Sequence, residues 1–90
     1  MKRIDFTFHA AIERMAKFGL KAEWVEKAVR SPDWTELDPQ PGVERRFRVT
    51  PEYGGRVLRM ACVEEKDHIR VVSVFPDRNA KRRHALKNIS

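Results

Sequence analysis

The stretch from Arg56 to Phe75 constrains the fold more than any other. Arg56-Val57-Leu58-Arg59-Met60-Ala61-Cys62-Val63-Glu64 and His68-Ile69-Arg70-Val71-Val72-Ser73-Val74-Phe75 are two apolar runs separated by a tight turn at Lys66-Asp67. So short a gap excludes a crossover helix, and the runs read as antiparallel neighbours. The first run is apolar on both faces, as a central strand is, so the sheet needs a strand on its other side and cover above and below. Val43-Glu44-Arg45-Arg46-Phe47-Arg48-Val49 supplies that strand. It alternates, with Val43, Phe47 and Val49 on one face and Glu44, Arg46 and Arg48 on the other. Pro51-Glu52-Tyr53-Gly54-Gly55 turns the chain between them, and Pro76 ends the last strand.

The cover comes from the first third. From Phe8 to Phe18, the side chains of Phe8, Ala11, Ile12, Met15, Ala16 and Phe18 share one arc of a helix, with Glu13 and Lys17 facing away. Thr7 is placed to cap its start and Gly19 to end it in a left-handed conformation. Ala22 to Arg30 is a second helix with Trp24, Val25, Ala28 and Val29 on one side, ended by Ser31-Pro32. A three-residue link, Gly19-Leu20-Lys21, predicts an antiparallel pair. Arg3 to Phe8 alternates and reads as a short first strand or an extended lead-in, and Asp33 to Gly42 as a loop. The expectation is one α+β domain over residues 1–90: an N-terminal antiparallel helix pair packed on one face of a small antiparallel β-meander, then a basic C-terminal tail. In that tail Leu86 and Ile89 could anchor a short helix, and a flexible arm fits equally.

Composition narrows the function classes. Ninety residues with 41% hydrophobic side chains suit a small folded domain rather than a disordered chain. The longest apolar runs are far short of a membrane span, and Met1-Lys2-Arg3-Ile4-Asp5 is not a signal peptide, so a cytoplasmic location is expected. Cys62 is the single cysteine, placed in an apolar strand where it acts as filler. His9, His68 and His84 have no metal-ligand spacing, and no nucleotide or cofactor fingerprint occurs, so neither metal nor cofactor is expected. The serines Ser31, Ser73 and Ser90 lack a nucleophile setting.

The charge is unevenly distributed. Residues 1–44 carry seven basic and eight acidic groups, −1, whereas residues 45–90 carry twelve basic and five acidic groups, +7. Arginine outnumbers lysine by 12 to 7, and its planar fork pairs bidentately with phosphate. A polyanion is therefore the expected partner of the second half. Arg45, Arg46, Arg48, Arg56, Lys81, Arg82 and Arg83 are the candidate nucleic-acid contacts. Neighbouring strands would bring Arg46, Arg48, Arg56, Arg59 and Arg70 close, with Arg78 just beyond. Such a cluster suits metal-free phosphodiester chemistry on RNA, where guanidiniums stabilise the phosphorane and a histidine moves protons. The opposing reading is a solvated face paired to Glu44, Glu52 and Glu64. His9 and Arg14 flank the apolar arc of the first helix. Arg14 could lie over Trp24 or reach the sheet, and His9 could be structural or acid–base. Trp24 and Trp34 read as core or lid residues.

Together His9-Ala10, Arg14-Met15, Gly19-Leu20, Trp24-Val25, Pro32-Asp33, Arg56-Val57-Leu58-Arg59 and Val71-Val72-Ser73-Val74-Phe75 resemble the pattern of a family of small bacterial domains of unassigned function. That family is similar to the RelE/ParE superfamily of toxin–antitoxin toxins, and especially to BrnT-type toxins. Asp77-Arg78-Asn79-Ala80-Lys81-Arg82-Arg83 resembles the Arg-rich end of BrnT-like chains. The resemblance implies a microbial-ribonuclease-like fold and metal-independent mRNA cleavage, countered by an acidic antitoxin. It implies that Arg59 and Arg78 hold the scissile phosphate and that His84, or His9, acts as acid–base. Two features depart from the superfamily: there is no tyrosine after Tyr53, and Arg45, Arg46 and Arg48 stand where a lysine pair is usual. The alternative is a non-catalytic module, binding nucleic acid or protein through a basic sheet face.

Overall fold

The structure is a computed structural model that describes residues 2–6 and 8–89, with side chains up to residue 87. In chain order its elements are β1 (Arg3–Asp5), α1 (His9–Phe18), α2 (Ala22–Arg30), β2 (Trp34–Leu37), β3 (Glu44–Thr50), β4 (Arg56–Glu64), β5 (His68–Pro76) and α3 (Ala80–Ile89), with a 3-10 turn at Pro51–Tyr53. The strands form one sheet in the order β1-β5-β4-β3-β2. The α+β class holds, and β4 lies centrally between β3 and β5, as its two apolar faces require.

The helix-pair-on-meander expectation needs correcting in several respects. β2 to β5 are antiparallel, but β1 runs parallel to β5, so the sheet is mixed. Three residues of alternation cannot announce such a pairing, because the partner of Arg3 is His68 at the far end of the chain. Residues 34–37, read as loop, are the edge strand β2. Only Trp34 and Glu36 face inward there, while Leu37 is 87% exposed, so the usual apolar alternation is missing. The helices also pack on the sheet individually: α1 lies against β5, and α2 against β3 and β4.

The main core lies between those helices and the sheet. Ala11, Leu20, Val25, Ala28 and Val29 meet Leu58, Met60, Cys62, Ile69, Val71 and Val74, all buried. Ile12, expected in the apolar arc of α1, is 51% exposed. A helix lying over one strand buries a narrower stripe than one wedged between neighbours, and Ala11, Met15 and Phe18 suffice. Gly19 closes α1 at φ 65°, and Leu20 donates its N–H back to Met15. A left-handed glycine followed by a buried apolar residue is the usual helix stop. The expected cap at Thr7 lies outside the described residues. Burial pushes the Cys62 thiol up to about 12, so it acts as packing rather than as a nucleophile.

The tail is a helix held by polar groups. A smaller core of Phe47, Val57 and Ala80, with Trp34 and Val49, lies under α3 on the second face of the sheet. His84 stacks on Trp34 with ring centroids 4.1 Å apart, and Lys87 pairs with Glu36 at 3.4 Å. Ala80, His84 and Lys87 therefore form the docking stripe, at helical spacing. Leu86, expected as an anchor, is 58% exposed, and the side chain of Ile89 lies outside those described.

Candidate nucleic-acid interface

α1 and α2 cover the first face of the sheet, but α3 covers only part of the second. The register places Trp34, Phe47, Arg59 and Phe75 in one row across β2, β3, β4 and β5. The adjoining row is Glu36, Arg45, Ala61 and Ser73. Side chains two apart on a strand share a face, so both rows line the second face. Ala61 and Ser73 are short, and beside them stand the long side chains of Arg45, Arg59 and Phe75. These half-buried residues form one patch, the Arg59 depression, in which short side chains stand between guanidinium-bearing ones.

Arginines crowd that depression. The Arg59 guanidinium lies 4.1 Å from the centroid of the Phe75 ring, and Arg14 reaches the same ring from α1 at 5.7 Å. Of the two places open to Arg14, the sheet is the one it takes. Arg70, on β5, lies over the Phe8 ring at 5.3 Å and pairs with Glu65 at 3.1 Å. Arg45 pairs with Asp38 at 2.8 Å. One carboxylate, Asp77, serves two guanidiniums, with Arg83 at 2.8 Å and Arg59 at 3.3 Å. Burial lowers the pKa of Arg59; Asp77 opposes this, and repulsion from Arg45 and Arg83 adds to it. Arg45 and Arg83 are thus both near enough to Arg59 to act on its charge. Counted with Lys87, the four cations Arg45, Arg59, Arg83 and Lys87 face the three carboxylates Asp38, Asp77 and Glu36, so the grouping keeps one positive charge in excess.

Asp77 is the pivot of the grouping. Its side chain is 8% exposed, and its oxygens accept from Arg83 and from the Asn79 backbone N–H. The Arg83 hydrogen bond does most to hold its pKa below the ordinary 3.8; burial opposes this, and the Asn79 N–H assists. A depressed folded-state pKa stabilises the fold above about pH 4, and that stabilisation is lost as pH falls through the folded value. Asp77→Asn should therefore be less stable than the parent at pH 7, with the gap narrowing below about pH 4. Urea titrations of both proteins across that range check it; a constant gap would remove Asp77 from this role.

The remaining candidates are distributed elsewhere. Arg46 and Arg48 stand on the helix-covered face and donate to the carbonyls of Val29 and Ser31, each at 2.7 Å. These are carbonyls at the C-terminal end of α2, where a cation is favoured. Burial weighs against the charge on Arg46, but hydrogen bonds to Glu44 and Glu64 outweigh it and raise its pKa. Both arginines thus fasten α2 to β3. His9 is exposed and pairs with Glu13 one turn along at 2.8 Å, a contact within α1. His84 is half-buried on Trp34, which itself stacks on Phe47 at 5.0 Å. Trp24 belongs to the main core beside Tyr53. Arg82 is exposed on α3, whereas Arg56, Arg78 and Lys81 gather at a separate cavity at the end of the sheet.

A protein-family model described as a domain of unknown function (DUF4258) matches residues 6–76. The chain belongs to that family. None of the curated proteins or solved structures compared with this DUF4258 domain matches it. The matched span holds Arg14, Arg45, Arg59, Arg70 and Phe75, while Asp77, Arg78 and the whole of α3 lie beyond it. The short residues and the strand arginines of the depression are therefore inside the DUF4258 match, and the helix beside it is outside. Sequence reasoning did not find Phe75, Asp38 or Asp77 as members of the site. Asp77 had a legible signal, being the one acidic residue in a tail rich in arginine and lysine.

Proposed function

We propose that this DUF4258 domain is an RNA-cleaving toxin that works without a metal, gripping the phosphodiester in the depression beside Arg59. The observation that supports this best is the grouping of Arg45, Arg59 and Arg83 on one face, where Arg59 and Arg83 share Asp77, Arg45 pairs with Asp38, and Glu36 is engaged by Lys87. Guanidiniums so placed favour the charge that builds on a pentavalent phosphorane. RNA is the suitable substrate because its 2′-hydroxyl is an internal nucleophile. The 2′-oxygen attacks phosphorus, its proton passes to the imidazole of His84, and the P–O5′ bond breaks, with the leaving oxygen taking a proton from solvent. Phe75, already stacked under Arg59, offers a ring face for a base. The resemblance of the opening His-Ala and Arg-Met motifs and of the basic tail to RelE/ParE and BrnT-type toxins points the same way. It adds a cytoplasmic setting and an acidic antitoxin whose charge complements the +7 half.

The ion pair of Arg59 with Asp77 and the stacking of His84 favour a second reading, a non-catalytic binder of RNA or of an acidic protein. Incubation with single-stranded RNA and EDTA separates the two. Shortened products that persist with the chelator support cleavage. A retarded but intact RNA, with affinity falling steeply in salt, supports binding alone. An RNA neither cut nor retarded at low salt overturns both.

A further inference from the structure

A cavity of about 480 Å³ opens at the end of the sheet, lined by Phe18, Arg56, Val57, Pro76, Arg78 and Lys81 among others. It lies between the C-terminal end of α1, the start of β4, the end of β5 and the first turn of α3. Asp77 stands between this cavity and the Arg59 depression, lining the one and pairing with the arginines of the other. We propose that the cavity is a separate nucleotide site that takes a phosphomonoester, either the phosphorylated end of an RNA strand or a free mononucleotide. The choice of a nucleotide over other phosphorylated molecules rests on the RNA reading above; the choice of a phosphomonoester does not.

Three observations carry it. Firstly, the lining is divided by chemistry: half-buried Phe18 and Pro76, with buried Val57 behind them, give an apolar wall that a base can cover, and three cations give the opposite character. Pockets that orient small ligands have this make-up and this range of volume. Secondly, the cations are uncommitted. Among the described residues no carboxylate forms an ion pair with Arg56, Arg78 or Lys81, in contrast to Arg45, Arg59, Arg70 and Arg83. Asp77, the one acidic lining residue, is engaged by Arg59 and Arg83. Arg56 is held at 5.3 Å over the Tyr53 ring, which orients the fork without neutralising it. Thirdly, three unpaired cations suit a dianion better than a monoanion. A terminal phosphate carries a charge of about −1.5 to −2 at pH 7, against −1 for a diester within a strand. The volume has room for about one nucleotide rather than a run of them.

Labelled RNA oligomers identical except for a terminal phosphate, at the 5′ end in one pair and the 3′ end in another, test the site by fluorescence anisotropy. At least one phosphorylated oligomer should bind about tenfold more tightly than its hydroxyl twin, the scale of one charge-assisted hydrogen bond. Arg78→Ala/Lys81→Ala should abolish that preference, and Arg59→Ala should weaken both members of a pair alike. Arg78 and Lys81 are exposed, so the double variant is expected to fold, as circular dichroism checks. Displacement of the phosphorylated strand by 5′- or 3′-AMP identifies a free nucleotide as a ligand, and lack of displacement identifies the strand end. Absence of any terminal-phosphate preference, or its survival in the double variant, overturns the proposal. If no RNA binds, the two AMPs are titrated directly by calorimetry. Binding lost in the double variant keeps the cavity site while the RNA reading fails, and no binding removes the site.

Discussion

Replacing Arg59 with alanine is expected to lower RNA cleavage by about 10²–10³-fold, the scale seen when one preorganised donor to a developing anion is removed. The side chain is 22% exposed and borders an open depression, so its loss leaves no buried void. Asp77 keeps Arg83 as a partner, and the fold is expected to persist. Arg59→Lys should recover only part of the loss, since an ammonium keeps the charge but not the fork. Arg48→Ala is the internal control: its guanidinium fastens the end of α2, so it should cost stability and leave cleavage of RNA by the folded protein unchanged. Initial rates on one labelled RNA at fixed salt, with melting curves for all variants, make the comparison. Equal rates for the parent and Arg59→Ala would remove Arg59 from the site and the cleavage reading with it.

Phe47→Ala carries the largest expected effect on stability. Phe47 is fully buried and is the cross-strand neighbour of both Trp34 and Arg59. Truncating a buried phenylalanine costs about 3–5 kcal/mol, a large part of the 5–15 kcal/mol that holds a typical domain together. Damage should centre on the second face, because Trp34 loses its stacking partner and His84 rests on Trp34. A sharply lower melting temperature, with the near-ultraviolet signal of the tryptophans reduced, is the expected result. Ile12→Ala, on the exposed side of α1, should change the melting temperature little by comparison. Equal shifts for the two would mean that the small core under α3 contributes no more than solvent-facing surface does.

How much of this was legible follows from how local each signal is. The α2 helix and the β4 strand could be bounded to the residue because their patterns are strong and their ends are marked: Ser31-Pro32 for one, Gly54-Gly55 and Lys66-Asp67 for the other. β2 reads as loop, and α3 only as one of two options, for the same physical reason. Each docks through polar or aromatic groups, Glu36 and Trp34 in one and His84 and Lys87 in the other, so neither carries an apolar period. At the site, Arg59 reads from the strand pattern as one of several sheet arginines, and only the family resemblance sets it apart with Arg78. That Arg46 and Arg48 serve α2 could not, because charge on an alternating strand does not say what lies over that face. Arg14 could be placed only as one of two options, and the fold decides between them.

The grip of Arg59 and Arg83 on one carboxylate has a further consequence. A phosphate arriving between the two guanidiniums contends with an anion already seated there. Drawing Arg83 away from Asp77 also undoes one of the ties that fasten the terminal helix. On the proposed reading, occupancy and helix attachment would be reciprocally linked: whatever clamps the helix would make the anion harder to admit, and whatever admits the anion would slacken the helix.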